Sequence, residues 1–257
     1  MSADRVAIVT GGGQGIGRAI AVALARTGID VAVLSRSRAP LDRVAAEITA
    51  TGRRGLAVAC DVTSGADVDA AFARIRDTLG PIDILVNNAG TAESAPLSKL
   101  DEDLWDRTIA VNLKGTYLCT RAAIGGMIAR GAGRIISVAS VAGRVGFAYT
   151  SAYCAAKHGV LGFTRAVALE VARKGITVNA ICPGWVNTDM TTTTIARIAG
   201  TTGRSLEEAR RVLEEMSPQH RLIQPDEVAA VAVFLVGEAA AGITGQAIDV
   251  DGGEVMA

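Results

Sequence analysis

The segment Thr10-Gly11-Gly12-Gly13-Gln14-Gly15-Ile16-Gly17 constrains the fold of this chain more than any other stretch. The short β-branched run Arg5 to Thr10 precedes it, and the helical pattern Ile20-Ala21-Leu24-Ala25 follows. Strand, glycine turn and helix in that order make a βα unit whose backbone can approach a pyrophosphate at a helix N-terminus. A glycine turn in this place can also be purely structural. Val31-Ala32-Val33-Leu34 supplies a second strand. The βαβ unit therefore closes within about 30 residues, the length a dinucleotide-binding unit requires.

The alternation continues. A helix is expected near Pro40 to Ala50, a strand over Leu56 to Cys60, a helix near Ala66 to Leu79 and a strand over Ile82 to Val86. A long helical stretch from about Glu102 to Arg130, a strand Arg134 to Ala139, a helix from about Ala152 to Arg173 and a strand Ile176 to Cys182 come next. After an irregular segment, helices near Ser205 to Met216 and Pro225 to Val236 precede a last strand, Ala247 to Val250. Alternating strands and helices imply an α/β fold, a doubly wound parallel sheet of about seven strands with helices on both faces. No linker or charge run divides the 257 residues, so a single Rossmann-like domain over 1–257 is expected. Ligands of such sheets bind at the carboxyl ends of the strands. Gly11, Asn87, Ser140 and Pro183 all follow strand ends and should converge on one crevice.

Lys+Arg and Asp+Glu both total 26, so the formal net charge is zero and neither nucleic acid nor an anionic membrane is an expected partner. Cys60, Cys119, Cys154 and Cys182 occur singly, without a C-x-x-C spacing; free thiols are expected, with no disulfide and no metal. The N-terminus lacks the pattern of a signal peptide and no run of 18 apolar residues occurs, so the expected setting is soluble and cytoplasmic.

Within Ser151-Ala152-Tyr153-Cys154-Ala155-Ala156-Lys157, Tyr and Lys are four apart and neighbours on one helix face. An ammonium beside a phenol favours the phenolate, so the Tyr153 pKa is expected to fall toward the working pH. Such a pair is common on Ala-rich helices and means little alone. Ser140, closing the apolar run from Ile135, reads as a hydroxyl delivered to the sheet edge.

Five motifs in order make the chain similar to the short-chain dehydrogenase/reductase family. They are Thr10-Gly11-x-x-x-Gly15-x-Gly17, Asp61-Val62, Asn87-Asn88-Ala89-Gly90, Ser140 with Tyr153-x-x-x-Lys157, and Pro183-Gly184. The resemblance runs from Val6 to Gly253 and is strongest to bacterial 3-oxoacyl-thioester (acyl-carrier-protein) reductases and polyketide ketoreductases. It implies hydride transfer between NAD(P) and a ketone or secondary alcohol. Tyr153 is implied as acid/base, Lys157 as its partner and a ribose ligand, and Ser140 as donor to the substrate oxygen. Asn112 is implied as holder of a water chain to Lys157; taken alone it could be a helix-surface or capping residue. For the cofactor the resemblance implies Gly11, Gly13, Gln14, Gly15, Ile16, Gly17, Asp61, Val62, Asn88, Ala89, Gly90, Tyr153, Lys157, Pro183, Gly184, Val186 and Thr188. Asp61 could instead serve only its turn, Asn87 to Gly90 only the fold, and Pro183-Gly184 be an ordinary turn.

The second strand ends in Leu34-Ser35-Arg36-Ser37-Arg38, without the acid that binds an NAD ribose. A guanidinium suits a 2′-phosphate, so Arg36 points to NADP(H) over NAD(H), although both arginines could be solvated. The segment from about 184 to 218 is expected to be a substrate lid. Ser205-Leu206-Glu207-Glu208 is a capping box, and Leu206, Ala209, Val212, Leu213 and Met216 form an apolar stripe. That stripe is either core or the underside of the lid.

The function expected is reduction of a 3-oxoacyl thioester on acyl carrier protein or coenzyme A. The alternatives are a dehydrogenase of another secondary alcohol or cyclic ketone, and a cofactor-binding regulator without chemistry. The resemblance implies that Lys174 and Arg173, with Arg130 beside Gly131, leave part of a basic rim that docks the carrier; basic residues at a helix end are also favoured by the helix dipole alone. Apolar residues on more than one face of the helices over 102–130 and 152–173 call for a further cover, and the resemblance implies that a second subunit supplies it within a homotetramer.

Overall fold

The computed structural model describes residues 5–256. Among them, β1 (Val6–Thr10), β2 (Asp30–Ser35), β3 (Gly55–Ala59), β4 (Ile84–Asn87), β5 (Gly133–Val138), β6 (Ile176–Pro183) and β7 (Ala247–Val250) form one sheet. Its order is β3-β2-β1-β4-β5-β6-β7 and every pairing is parallel. The chain reverses direction across the sheet between β1 and β4, so a crevice opens at their carboxyl ends.

Successive strand residues point to opposite faces, and the two faces are filled by different helices. Val9, Val33, Val86, Ile136 and Ile181 face a cluster built with α1 (Gly15–Arg26), α2 (Arg38–Ala50) and α9 (Pro225–Val236). Ile8, Leu34, Leu85, Ile135 and Val178 face the other way, onto α3 (Gly65–Leu79), α5 (Gly115–Arg130) and α6 (Ser151–Val171). Full burial of a side chain such as Ile8, Leu24 or Phe72 stabilises the sandwich by about 1.5–3 kcal/mol.

Polar latches tie the amino ends of the strands. Asp83 accepts from the Val6 N–H at 2.9 Å, and the buried Asp30 accepts from the Arg54 N–H at 2.9 Å and from Arg54 Nε at 2.6 Å. Arg53 Nε adds a third donor at 2.9 Å. Burial alone would raise the Asp30 pKa, but the hydrogen bonds and charges of Arg54 and Arg53 prevail and hold it below the usual range.

Two segments depart from the sequence reading. The long helix over 102–130 is divided into α4 (Glu102–Ile109), one π-helical turn over Ala110–Lys114, and α5. The segment read as irregular holds α7 (Asp189–Thr202), followed by α8 (Leu206–Glu214). Four consecutive threonines disfavour a helix by propensity. Here Thr192, Thr193 and Thr194 hydroxyls donate to the carbonyls four residues back, and Ile195, Ile198 and Ala199 pack on Ala209 and Leu213 of α8. Tertiary burial overrides the local preference. The capping box at Ser205 and Glu208 is present as expected.

Candidate active site

At the carboxyl end of β1 the chain turns in the left-handed conformation at Gly11 (φ 63°) and Gly15 (φ 52°), which side chains rarely adopt. A Cβ on Gly17 would lie 2.3 Å from the Gly11 carbonyl oxygen and 2.5 Å from Asn88 Nδ2. Asn88 Nδ2 donates to the carbonyls of Thr10 at 3.0 Å and Gly11 at 3.3 Å. Thr10 Oγ1 accepts from the N–H groups of Asn88 at 2.9 Å and Ala89 at 3.0 Å. The glycine turn and the Asn87–Gly90 segment are thus one interlocked unit. Helix α1 opens with neither a side-chain cap nor an acidic residue in its first turn. Its leading N–H groups are therefore available to a phosphate.

A cleft of about 860 Å³ runs along this edge. Of the residues expected in the site, Gly11, Gly13, Gln14, Gly15, Ile16, Arg36, Asp61, Val62, Asn88, Ala89, Gly90, Asn112, Ser140, Tyr153, Lys157, Pro183, Gly184, Val186 and Thr188 all line it. Gly17 lies behind the cleft surface, letting α1 approach β1, and Asn87, expected at the same crevice, is instead buried with its Nδ2 donating to Thr120 Oγ1 at 3.0 Å. Arg36, at the end of β2, has no hydrogen bond or salt bridge among the described residues, whereas Arg38 is spent on Asp42 at 2.7 Å and stays outside the cleft. The carboxylate of Asp61 accepts from the Thr63 N–H at 2.9 Å and hydroxyl at 2.8 Å. Those hydrogen bonds, with the Arg36 charge as a smaller contribution, hold it below the usual carboxylate range.

Ser140 follows β5, and its Oγ accepts from the Ala142 N–H at 3.1 Å. Its loop is held by Arg144, whose Nε meets Asp249 at 2.7 Å and whose guanidinium also donates to the Ala247 carbonyl. Tyr153 and Lys157 lie on the first turns of α6, and Tyr153 hydrogen-bonds with this hydroxyl. Lys157 is buried; its Nζ donates to the Val138 carbonyl at 2.9 Å and lies 5.5 Å from the Tyr153 ring centre.

The electrostatics reverse the expectation of a lowered phenol. Burial pushes Tyr153 up to about 12, opposed only in part by its hydrogen bond with Ser140, and burial lowers Lys157 to about 8. Desolvation disfavours the charged form of each group. Tyr153 is thus a neutral phenol at ordinary pH.

Asn112 sits in the π-helical turn and is buried, not on the surface or at a helix cap. Its Nδ2 donates to the carbonyls of Thr91 at 3.0 Å and Thr108 at 2.9 Å. Its Oδ1 has no partner among the described residues and lies 2.8 Å from where a Gly90 Cβ would stand, with Lys157 Nζ 3.7 Å from the same point. The π turn aims the amide inward, a recurring use of such turns.

The cover over the cleft differs from the expected apolar underside. The α8 stripe is spent on α7, with Ala209 and Leu213 buried and Leu206 exposed. Helix α7 provides the cleft wall, through Asp189, Met190, Thr191, Thr194 and Arg197. Met190, Thr194 and Arg197 are spaced i, i+4, i+7, a pattern present in the sequence but masked by the threonine run. The basic pair Arg173 and Lys174 is also displaced. It follows α6 and precedes β6, at the amino ends of the strands, as does Arg130. The eight residues of β6, about 25 Å of strand, separate the pair from the cleft, so within one chain it cannot rim the mouth.

A glycine turn at an open helix N-terminus, with a serine, a tyrosine and a lysine meeting at the same sheet edge, defines a dinucleotide-dependent oxidoreductase of the doubly wound α/β class. The chain belongs to the short chain dehydrogenase family, whose pattern matches residues 5–198. It is 40% identical over 252 residues to a putative ketoacyl reductase of Streptomyces coelicolor, covering 97% of each chain. It is 42% identical over 254 residues to a 3-oxoacyl-[acyl-carrier-protein] reductase of Synechocystis, covering 98% of this chain and 97% of that one. A solved actinorhodin polyketide ketoreductase with NADPH superposes with a TM-score of 0.95 at 40% identity, over 98% of this chain and 97% of that one.

Proposed function

We propose that this enzyme reduces a ketone to a secondary alcohol with NADPH, and that the ketone is the 3-oxo group of an acyl thioester. The observation that carries the reading is the meeting of Ser140, a neutral Tyr153 and a buried Lys157 in the cleft that also holds the glycine turn. The ketoacyl reductases among its relatives, and the NADPH named with its structural neighbour, support the choice of substrate and cofactor.

The residues fit the dinucleotide. The uncapped start of α1 and the close-packed glycines suit a pyrophosphate, and the unpartnered Arg36 suits a 2′-phosphate. Asp61 and Val62 would border the adenine, Asn88 to Gly90 its ribose, and Pro183, Gly184, Val186 and Thr188 the nicotinamide. When bound, the reduced cofactor supplies the hydride.

The chain's own groups handle the oxygen and its proton. Ser140 Oγ–H is positioned to donate to the ketone oxygen, where negative charge grows. Tyr153 carries the proton to be given to that oxygen, and its raised pKa keeps the proton in place until charge develops. Lys157 holds positive charge beside the phenol below about pH 8 and steadies the phenolate left behind. The open Oδ1 of Asn112, close to Lys157, suits a water through which the proton is replaced. The helices α7 and α8 act as the lid over this centre, and the assembly is a homotetramer in the cytoplasm.

The test is an NADPH-oxidation assay across acetoacetyl-CoA, a longer 3-oxoacyl carrier thioester and a cyclic ketone. Thioesters should be reduced best. Preference for the cyclic ketone would transfer the assignment to a general carbonyl reductase, and no turnover of any ketone would favour a regulator.

A further inference from the structure

We propose that Arg197 of α7, assisted by Arg107 of α4, is an anion anchor that selects substrates carrying a carboxylate or phosphate away from the reacting ketone. The proposal rests on the reductase reading above and names its substrate class more narrowly.

Both arginines line the cleft, one from each of two helices, and neither guanidinium has a hydrogen bond or salt bridge among the described residues. Other arginines without such a partner, among them Arg26, Arg43, Arg74 and Arg165, are exposed and lie outside the cleft. Arg18, Arg38, Arg54, Arg144 and Arg221 are all held by a carboxylate at 2.7 Å or less. Arg197 is half-buried, so part of its hydration is already lost without a protein partner to replace it. A guanidinium in that state gains most from a planar or tetrahedral oxyanion that takes two N–H donors at once.

The neighbouring groups do not supply that partner. On the cleft face of α7, the Thr194 hydroxyl donates to the Met190 carbonyl at 3.1 Å and the Thr191 hydroxyl to the Val186 carbonyl at 2.5 Å. Three carboxylates also line the cleft, Asp61, Glu93 and Asp189; Asp61 is held by Thr63, and none forms a salt bridge with these arginines among the described residues. Asp189 belongs to the first turn of α7, eight residues before Arg197, an axial offset of about 12 Å. Its charge is therefore better placed to serve the helix N-terminus than to neutralise Arg197. Phe147, Trp185 and Met190 give the same cleft an apolar lining. A substrate with an apolar body and a remote anion matches both.

The experiment compares acetoacetyl-CoA (phosphates), free acetoacetate (a carboxylate) and the neutral acetoacetyl-N-acetylcysteamine thioester, in wild type, Arg197→Gln, Arg197→Lys and Arg107→Gln. The quantity read is the ratio of kcat/KM for a charged substrate to that for the neutral one. Loss of a hydrogen bond to a charged group should lower that ratio about tenfold to hundredfold in Arg197→Gln, with a smaller fall in Arg107→Gln and partial recovery in Arg197→Lys. A fall for acetoacetyl-CoA alone assigns the anchor to a carrier phosphate; a fall for acetoacetate alone assigns it to a carboxylate. Equal losses on all three substrates, a raised KM for NADPH, or an unchanged ratio at unaltered Tm would each overturn the anchor. Turnover of the neutral thioester by wild type reports the reductase assignment separately.

Discussion

Tyr153 is the residue on which the proposed chemistry turns. Tyr153→Phe keeps the ring and removes the transferable proton, so turnover should fall by at least about 10²–10⁴-fold, the range general acid catalysis supplies, while NADPH titration is little changed. Near-normal turnover in that variant would exclude the mechanism. Lys157 sets the pH response. Its lowered value, about 8, means that the ammonium is lost as pH rises through 8. Reduction consumes a proton beside that ammonium, so kcat/KM for reduction should be level below pH 8 and decline above it. In Lys157→Arg, which stays charged, the high-pH limb should vanish even if the plateau is lower. Arg36 is the proposed determinant of cofactor choice. Arg36→Asp replaces the 2′-phosphate partner with a like charge and should raise the KM for NADPH about tenfold or more, narrowing the gap to NADH. Equal efficiency with both cofactors in wild type would remove the basis for that role.

At the scale of elements, the strands and most helices were legible because each obeys a simple period. The sheet core reads as short β-branched runs buried on both faces, and α9 starts where Pro225 and Glu227 say it should. The pair proposed to carry the chemistry was legible for a different reason: Tyr153 and Lys157 are four apart on one helix, so local spacing fixes their juxtaposition. Three things were not legible. The π-helical turn that buries Asn112 adds one residue to a turn and leaves no compositional mark. Helix α7 exists because α8 covers it, a contact between segments whose own patterns pointed elsewhere. The phenol pKa depends on how much water reaches the hydroxyl, which spacing does not encode. The α7–α8 contact makes its own prediction. Leu213→Ala removes its largest buried α8 side chain and should destabilise the pair by about 2–5 kcal/mol. Proteolysis between 189 and 214 should accelerate and substrate KM rise. Protease resistance equal to wild type would mean that α7 stands without α8.

For the whole molecule, the outer surface of α5 and α6 is out of keeping with a lone chain in water. Tyr117 is 44% exposed and meets Phe163 edge-on at 6.4 Å, and Leu169 is 83% exposed. A second copy would cover this surface, so sizing at micromolar concentration should give a species larger than the 26.3 kDa monomer, and Tyr117→Glu should shift it smaller. Monomeric elution of the wild type would contradict that assembly. The amino ends of β1 and β2 have a further consequence. They are latched by Asp83 and by Asp30 between Arg53 and Arg54, while the opposite end of β1 carries the glycine turn and an uncapped helix start. Local opening should therefore cost unequal free energy at the two ends of one sheet. Amide hydrogens of Val31 and Ala32 should exchange only through global unfolding, whereas those of Gly13 to Ile16 exchange through small openings. Bound nucleotide would slow the second group far more than the first, so the energy of binding is spent where the fold itself left slack.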